Sequence, residues 1–397
     1  MARYYTAEEA VRRLGISRNT LYAYVSRGLI RSEPDSREKR TRRYHAQDVE
    51  RLASRSEVHK APESALRKAI DWGAPLFDSA ITLIGEEDFC YRGQSVLHLA
   101  EQGSFEETVA LLWEPAGNLQ SVVDDYGRNL VEETLRQTPA HQPPIEIFLA
   151  VLASLDRRDV KAFDFTPATT AQAGAIMRDG FMRIITGEWP DDKVSECLAR
   201  YWQVAPEYRG LIDATLTLVA DHELNMSSFV ARCTASAGCS PYAAVAAATH
   251  TFFGRRHGGN TERIYGLLNE ADGKGGLYAT IASRIRRGEP VPGFGHRLYD
   301  VDPRAVYILQ RLPDRGGYIK EAKAATTELL NGASPSVDFA LLLLERELSL
   351  PHSSGVLLFY LGRMAGWVAH IMEQYSQGQP IRPRARYVGV NPIGLMS

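Results

Sequence analysis

The sequence predicts an all-α body preceded by a small helix-turn-helix module. Three observations carry this. Over residues 66–350 apolar residues recur at helical spacing and strand signals are few. Gly355 to Met372 is a nearly unbroken apolar run with Arg363 as its only formal charge, the pattern of a helix buried on all sides. Charge is divided along the chain. Of the 46 Lys+Arg and 48 Asp+Glu in 397 residues, the first 60 carry 14 and 8, which leaves 32 and 40 for the rest. A basic module thus precedes an acidic body, and the length suits two or three domains.

Taken in order, Thr6 caps a first helix, with Glu9 completing a capping box, and Ala7, Ala10, Val11 and Leu14 share one face. Gly15 ends it. Ser17 caps a second helix in which Leu21, Val25 and Leu29 align. Two short helices so joined read as helix-turn-helix. The second opens with Arg18, Asn19, Thr20 and Tyr22, where a recognition helix meets base edges. The run from Arg37 to Tyr44, including Arg40, Arg42 and Arg43, is a basic hairpin or wing. A third helix is expected from about Ala46 to Ser54, then a linker. A solvated basic cap without a DNA target fits the same residues. Further on, two short extended pieces are expected at Ala80–Ile84 and Phe89–Gly93, and a helix from Ser104 to near Trp113.

Four stretches of the body carry chemistry. Asp221 to Phe229 places His222, Glu223, Asn225 and two serines together. It lacks the second histidine of a zinc helix, which argues against a metal; a satisfied polar helix end remains an alternative. Ser240 and Pro241 start an Ala-rich helix that Gly254 stops, and Arg255-Arg256-His257-Gly258-Gly259 follows. It reads as a basic helix end or as a site. Gly293-Phe294-Gly295-His296 presents an imidazole on a sharp turn, with Arg304 eight residues on. That suits a small anionic substrate needing a proton donor, although a plain surface loop looks the same. Asp338 enters a strongly apolar helix, either as a cap or as a base in apolar surroundings.

A buried Arg363 needs an anion, either a structural carboxylate or a substrate. A membrane span is disfavoured, because arginine at mid-span costs about 2.5–3.5 kcal/mol. Arg382-Pro383-Arg384 forms another cationic group on a stiff segment. The four cysteines show no paired spacing and Met1 to Tyr5 has no apolar signal core, so reduced thiols and a cytoplasmic location are expected.

His222-Glu-x-Asn-x-Ser, His257-Gly-Gly, Gly-Phe-Gly-His296-x-x-Tyr with Asp-Pro-Arg304, Pro-x-Val-Asp338-Phe, and Arg363-x-x-Gly-Trp-x-x-His with Arg382-Pro resemble the citrate synthase family over residues 70–390. The first 55 residues resemble the MerR/excisionase-like winged-helix family. The resemblance implies a winged helix-turn-helix domain at 1–60, a large helical domain at 61–258 and 352–397, and a small mobile one at 259–351. It implies condensation of acetyl-CoA or propionyl-CoA with oxaloacetate to citrate or 2-methylcitrate. Asp338 would be the base, His257 the enol stabiliser and His296 the acid. His222, Arg304, Arg363 and Arg382 would hold the dicarboxylate, with Arg382 given by the partner of a homodimer. No cofactor or metal is implied beyond the CoA thioester as substrate, and double-stranded DNA is a candidate partner of the module.

This chain departs from the family pattern in places. Asn260 is displaced, Arg255-Arg256 replaces a usual Pro-Leu pair, and Asp300 stands where lysine is common. The His296–Asp338 segment, which helps to hold CoA, is about a dozen residues short. An alternative function is a transcriptional regulator that uses the body as a metabolite sensor.

Overall fold

The computed structural model describes residues 4–34, 42–46, 48–49, 52–53, 77–85, 88–117, 123–139, 142–273, 275–385 and 387–389. The chain falls into two units, Met1–Ser79 and Ala80–Ser397. In the first, the expected capping box forms. Thr6 Oγ1 accepts the Glu9 N–H and Glu9 Oε2 accepts the Thr6 N–H at 2.8 Å, opening helix Ala7–Leu14. Gly15 takes the left-handed conformation at φ 63°, which closes that helix and frees the chain to turn. Ser17 caps helix Arg18–Ser26. Strand Arg42–His45 lies between Tyr4–Tyr5 and Ser32–Pro34, antiparallel to both, with Tyr44 opposite Tyr5 and Ser32. Tyr44 is buried with Ala10, Leu14, Leu21 and Ile30 in this unit's own core. These elements are the predicted winged helix-turn-helix; Arg40 lies outside the described residues.

The second unit is helical apart from one small antiparallel sheet of Thr82–Ile84, Phe89–Tyr91 and Gln94–Ser95. Its axis is helix Ser354–Gln377, against which helices Pro167–Thr186, Arg209–Val219, Met226–Ser236, Pro241–Phe252 and Val337–Glu347 pack. Small residues permit the close crossing. A Cβ at Gly362 would stand 2.7 Å from the Leu216 carbonyl oxygen, and one at Gly366 2.4 Å from that of Ala220. The Gly366 N–H donates to Ala220 O instead, at 3.1 Å. This helix is long and apolar enough to cross a membrane, but 89% of its apolar window is buried inside the protein. Helices Thr261–Gly273, Leu277–Arg286, Pro303–Leu309 and Tyr318–Glu328 form a second group around Val337–Glu347.

Candidate active site

The Gly-rich turn is stitched to the start of helix Val337–Glu347. Gly293 and Gly295 sit at φ 88° and 80°, where a side chain would be strained. Gly295 N–H donates to Ser334 O at 2.7 Å, and Ser336 N–H donates to Gly293 O at 2.8 Å. His296 and Asp338 are thus carried on two segments zipped together. Asp302 adds a second tie. Its carboxylate takes Nε and Nη2 of Arg304 in a two-pronged pair, both at 2.9 Å, and also the N–H of Val337 at 3.1 Å. Asp302, not Asp338, therefore serves the N-terminus of that helix, and Asp338 is left for chemistry.

Three imidazoles face this region, and burial keeps all three neutral at pH 7. His296 is lowered by burial and then by the Arg304 charge, against a smaller opposing pull from Asp302. Its Nδ1 accepts the Leu298 N–H at 3.1 Å, so the ring proton resides on Nε2. His222 lies well below its ordinary value through burial, Arg304 and Arg363. Its ring stands 5.5 Å from that of His296, and its Nε2 meets the Tyr299 hydroxyl at 2.9 Å. His257 falls to about 4, through burial and then Arg363.

Ser227 ties His257 into the site. Its Oγ lies 2.8 Å from His257 Nε2, donates to Asn225 Oδ1 at 2.8 Å and accepts the Trp367 Nε1–H. Asn225 Oδ1 also takes the backbone N–H groups of Ser227 and Ser228 as a helix cap.

Asp338 has no hydrogen bond or ion pair among the described residues. Burial pushes its carboxyl up to about 6; Arg304 and Arg363 restrain the rise and Asp302 adds to it. Arg363 is 1% exposed. Its Nε donates to Val219 O at 2.9 Å, while Nη2 has no partner. Burial lowers its pKa to about 10, so it stays cationic. Its nearest fixed anion is Asp221, fully buried, which accepts the Thr82 hydroxyl. His370 Nε2 stands 3.2 Å from Asp221 Oδ1, an ion-pair distance whose angle makes no hydrogen bond. Burial opposes the Asp221 charge, but His370 and Arg363 hold its carboxyl below the usual range.

The structure thus brings His222, His257, His296, Arg304, Arg363 and Asp338 into one electrostatic neighbourhood. Arg382 is exposed in the extended segment after helix Ser354–Gln377, outside this cluster. In the first unit Arg18, Asn19 and Tyr22 are exposed on their helix, and Thr20 pairs its hydroxyl with that of Ser17. Arg18 reaches Glu8 at 2.7 Å and Arg42 reaches Ser32 at 3.0 Å. Arg43 lies beside Arg42 on the same strand. Sequence reasoning missed the roles of Asp302, Ser227, Asp221 and Tyr299 as supports. Only Asp302 was readable, as an N-cap residue before proline.

Comparison with known proteins gives the family and the fold. Residues 70–384 match the model of the citrate synthase C-terminal domain, and residues 4–56 that of a helix-turn-helix domain. Citrate synthase of Haloferax volcanii is 30% identical over 352 residues, 75% of this chain and 89% of the relative. The citrate/2-methylcitrate synthase of Bacillus subtilis is 32% identical over 189 residues, 45% of this chain and 51% of the relative. Citrate synthase of Thermoplasma acidophilum, solved with carboxymethyl coenzyme A and oxaloacetate, shares the fold with a TM-score of 0.64. That likeness holds at 21% identity over 82% of this chain and 96% of the other. The chain belongs to the citrate synthase family, with a helix-turn-helix domain at its N-terminal end.

Proposed function

We propose that the body condenses acetyl-CoA or propionyl-CoA with oxaloacetate, giving citrate or 2-methylcitrate and free CoA. The observation that supports it most is Asp338, a carboxylate without a hydrogen-bond partner that feels the charges of two buried guanidiniums, Arg304 and Arg363, which also act on the three imidazoles. A thioester α-carbon is a very weak acid, so its base must be ionised yet poorly solvated, and a group titrating at about 6 meets both needs. Asp338 takes the proton from that carbon while His257 stabilises the enol at the thioester oxygen. The enol carbon attacks the keto carbon of oxaloacetate, forming the C–C bond. The Nε2–H of His296 protonates the keto oxygen. Water then cleaves the thioester and CoA leaves.

His222, Arg304 and Arg363 hold the two carboxylates of oxaloacetate, for which forked guanidiniums are suited. Exposed Arg382 completes the site of a second copy in a homodimer. Every group in this scheme is a side chain, so no cofactor is required. The test is CoA release with oxaloacetate and a panel of short acyl-CoAs, which also ranks acetyl-CoA against propionyl-CoA. Oxaloacetate-dependent release is expected; its absence with every thioester would leave the sensor reading. A second role rests on a separate observation. The exposed Arg18-Asn19-Tyr22 face and the basic strand Arg42–His45 support binding of double-stranded DNA by the first unit. Selection from a random duplex pool tests it, and no enriched motif would leave a docking module.

A further inference from the structure

The turn before His257 carries two arginines that the scheme above does not use. The His257 N–H donates to Gly254 O at 2.9 Å, which makes Arg255 and Arg256 the two central residues of a tight turn ending on His257. Both are exposed, and no hydrogen bond or ion pair holds either guanidinium among the described residues. The turn itself is firmly seated. A Cβ at Gly259 would meet Phe253 O at 2.6 Å and Gly254 O at 2.9 Å, and one at Gly258 would strike the Phe252 ring. The Phe252 ring also stands against His257, with centroids 5.5 Å apart. The backbone carrying the two cations is therefore held at a fixed offset from that of His257, on the solvent side of a half-buried residue.

Adjacent like charges repel, and an external anion with more than one charge relieves that repulsion. On the other candidate loop, after His296, the exposed charges of Arg297 and Asp300 cancel, so it offers no such paired cation. We propose that Arg255 and Arg256 form a phosphate-binding site for the nucleotide end of the acyl-CoA. This rests on the condensation reading, in which His257 holds the thioester end of the same molecule. The 3′-phosphate and diphosphate of CoA are multiply charged, remain in solvent, and fit guanidinium forks. Because the turn directly precedes His257, an arm leading from the imidazole to solvent would run by it.

The test compares the full-length protein with Arg255→Ala/Arg256→Ala and the conservative Arg255→Lys/Arg256→Lys. Three thioesters are used: acetyl-CoA, acetyl-3′-dephospho-CoA and acetyl-pantetheine, which has neither phosphate group. Binding of CoA alone is measured by calorimetry beside the kinetics. The alanine pair is expected to weaken CoA binding and raise the KM for acetyl-CoA about tenfold, with a much smaller change in kcat. The lysine pair should recover most of the loss, and the KM for acetyl-pantetheine should not move. An equal rise for acetyl-pantetheine, or unchanged CoA affinity in the alanine pair, overturns the site while leaving the condensation reading intact. A parent protein that binds no CoA and turns over no thioester overturns both. Unchanged melting temperature and oxaloacetate affinity in the alanine pair exclude misfolding as the cause.

Discussion

Asp338 is where activity and stability pull in opposite directions. Its carboxyl titrates at about 6, above the ordinary 3.8, so the folded chain binds this proton more tightly than the unfolded chain. Ionised Asp338 therefore costs stability above pH 6, and that cost vanishes below the unfolded value. Asp338→Asn should abolish turnover yet raise the melting temperature by roughly 2–5 °C at pH 7.5, with no gain at pH 4. Thermal scans at the two pH values, beside CoA-release rates, check this. The buried histidines work the other way. The depressed values of His222, His257 and His296 mean that unfolding takes up protons. Their contribution is complete above pH 6.5 and is lost as pH falls below it, for His257 through about 4. Ser227→Ala should leave oxaloacetate affinity unchanged and lower kcat about tenfold or more, because His257 loses the hydroxyl that orients its ring. Steady-state kinetics at saturating oxaloacetate decide it. The histidines and Asp338 were legible in the sequence as residue types on turns and helix starts. The hydroxyl that His257 meets was not, since Ser227 is held there by Trp367 across 140 residues of chain.

At the scale of elements, the caps were the most readable feature. Thr6, Ser17, Ser104 and Ser240 each accept a backbone N–H at the helix start expected of them, because capping is local chemistry. The long helix was legible as buried, but its partner was not, nor the close crossing that Gly362 and Gly366 permit. The contact partner, helix Arg209–Val219, is brought there by the fold and supplies the Val219 carbonyl that holds Arg363. Gly366→Ala would thrust a methyl group to 2.5 Å from Asp221 Oδ1 as well as against Ala220 O. Overpacking of this kind costs typically 1–3 kcal/mol. The expected outcome is a lower denaturation midpoint together with a raised KM for oxaloacetate, since Arg363 rides on the displaced helix. An unchanged KM would show that the crossing does not position Arg363.

For the whole molecule, assembly and DNA reading can each be tested. If Arg382 serves a second copy, Arg382→Ala and His296→Ala chains are each inactive alone, but mixed dimers hold one native site of two. Random mixing should then restore about a quarter of parental activity. Mixed dimers that form and recover nothing would place both residues in one chain's site. For the helix-turn-helix domain, Arg42→Ala/Arg43→Ala should weaken binding to every duplex and reduce the salt slope by about two. Asn19→Ala should instead relax sequence preference. Salt titrations on selected and scrambled duplexes separate the two effects.

The unpartnered Nη2 of Arg363 has a consequence beyond catalysis. The charge of this guanidinium is held in the core with its pKa lowered to about 10 by burial. A dicarboxylate that pairs with it binds the folded chain alone, and at a hundredfold excess over its dissociation constant would add about 2.7 kcal/mol to stability. The lifetime of the chain would then follow its supply of ligand: starved, it would open sooner to proteases; fed, it would persist.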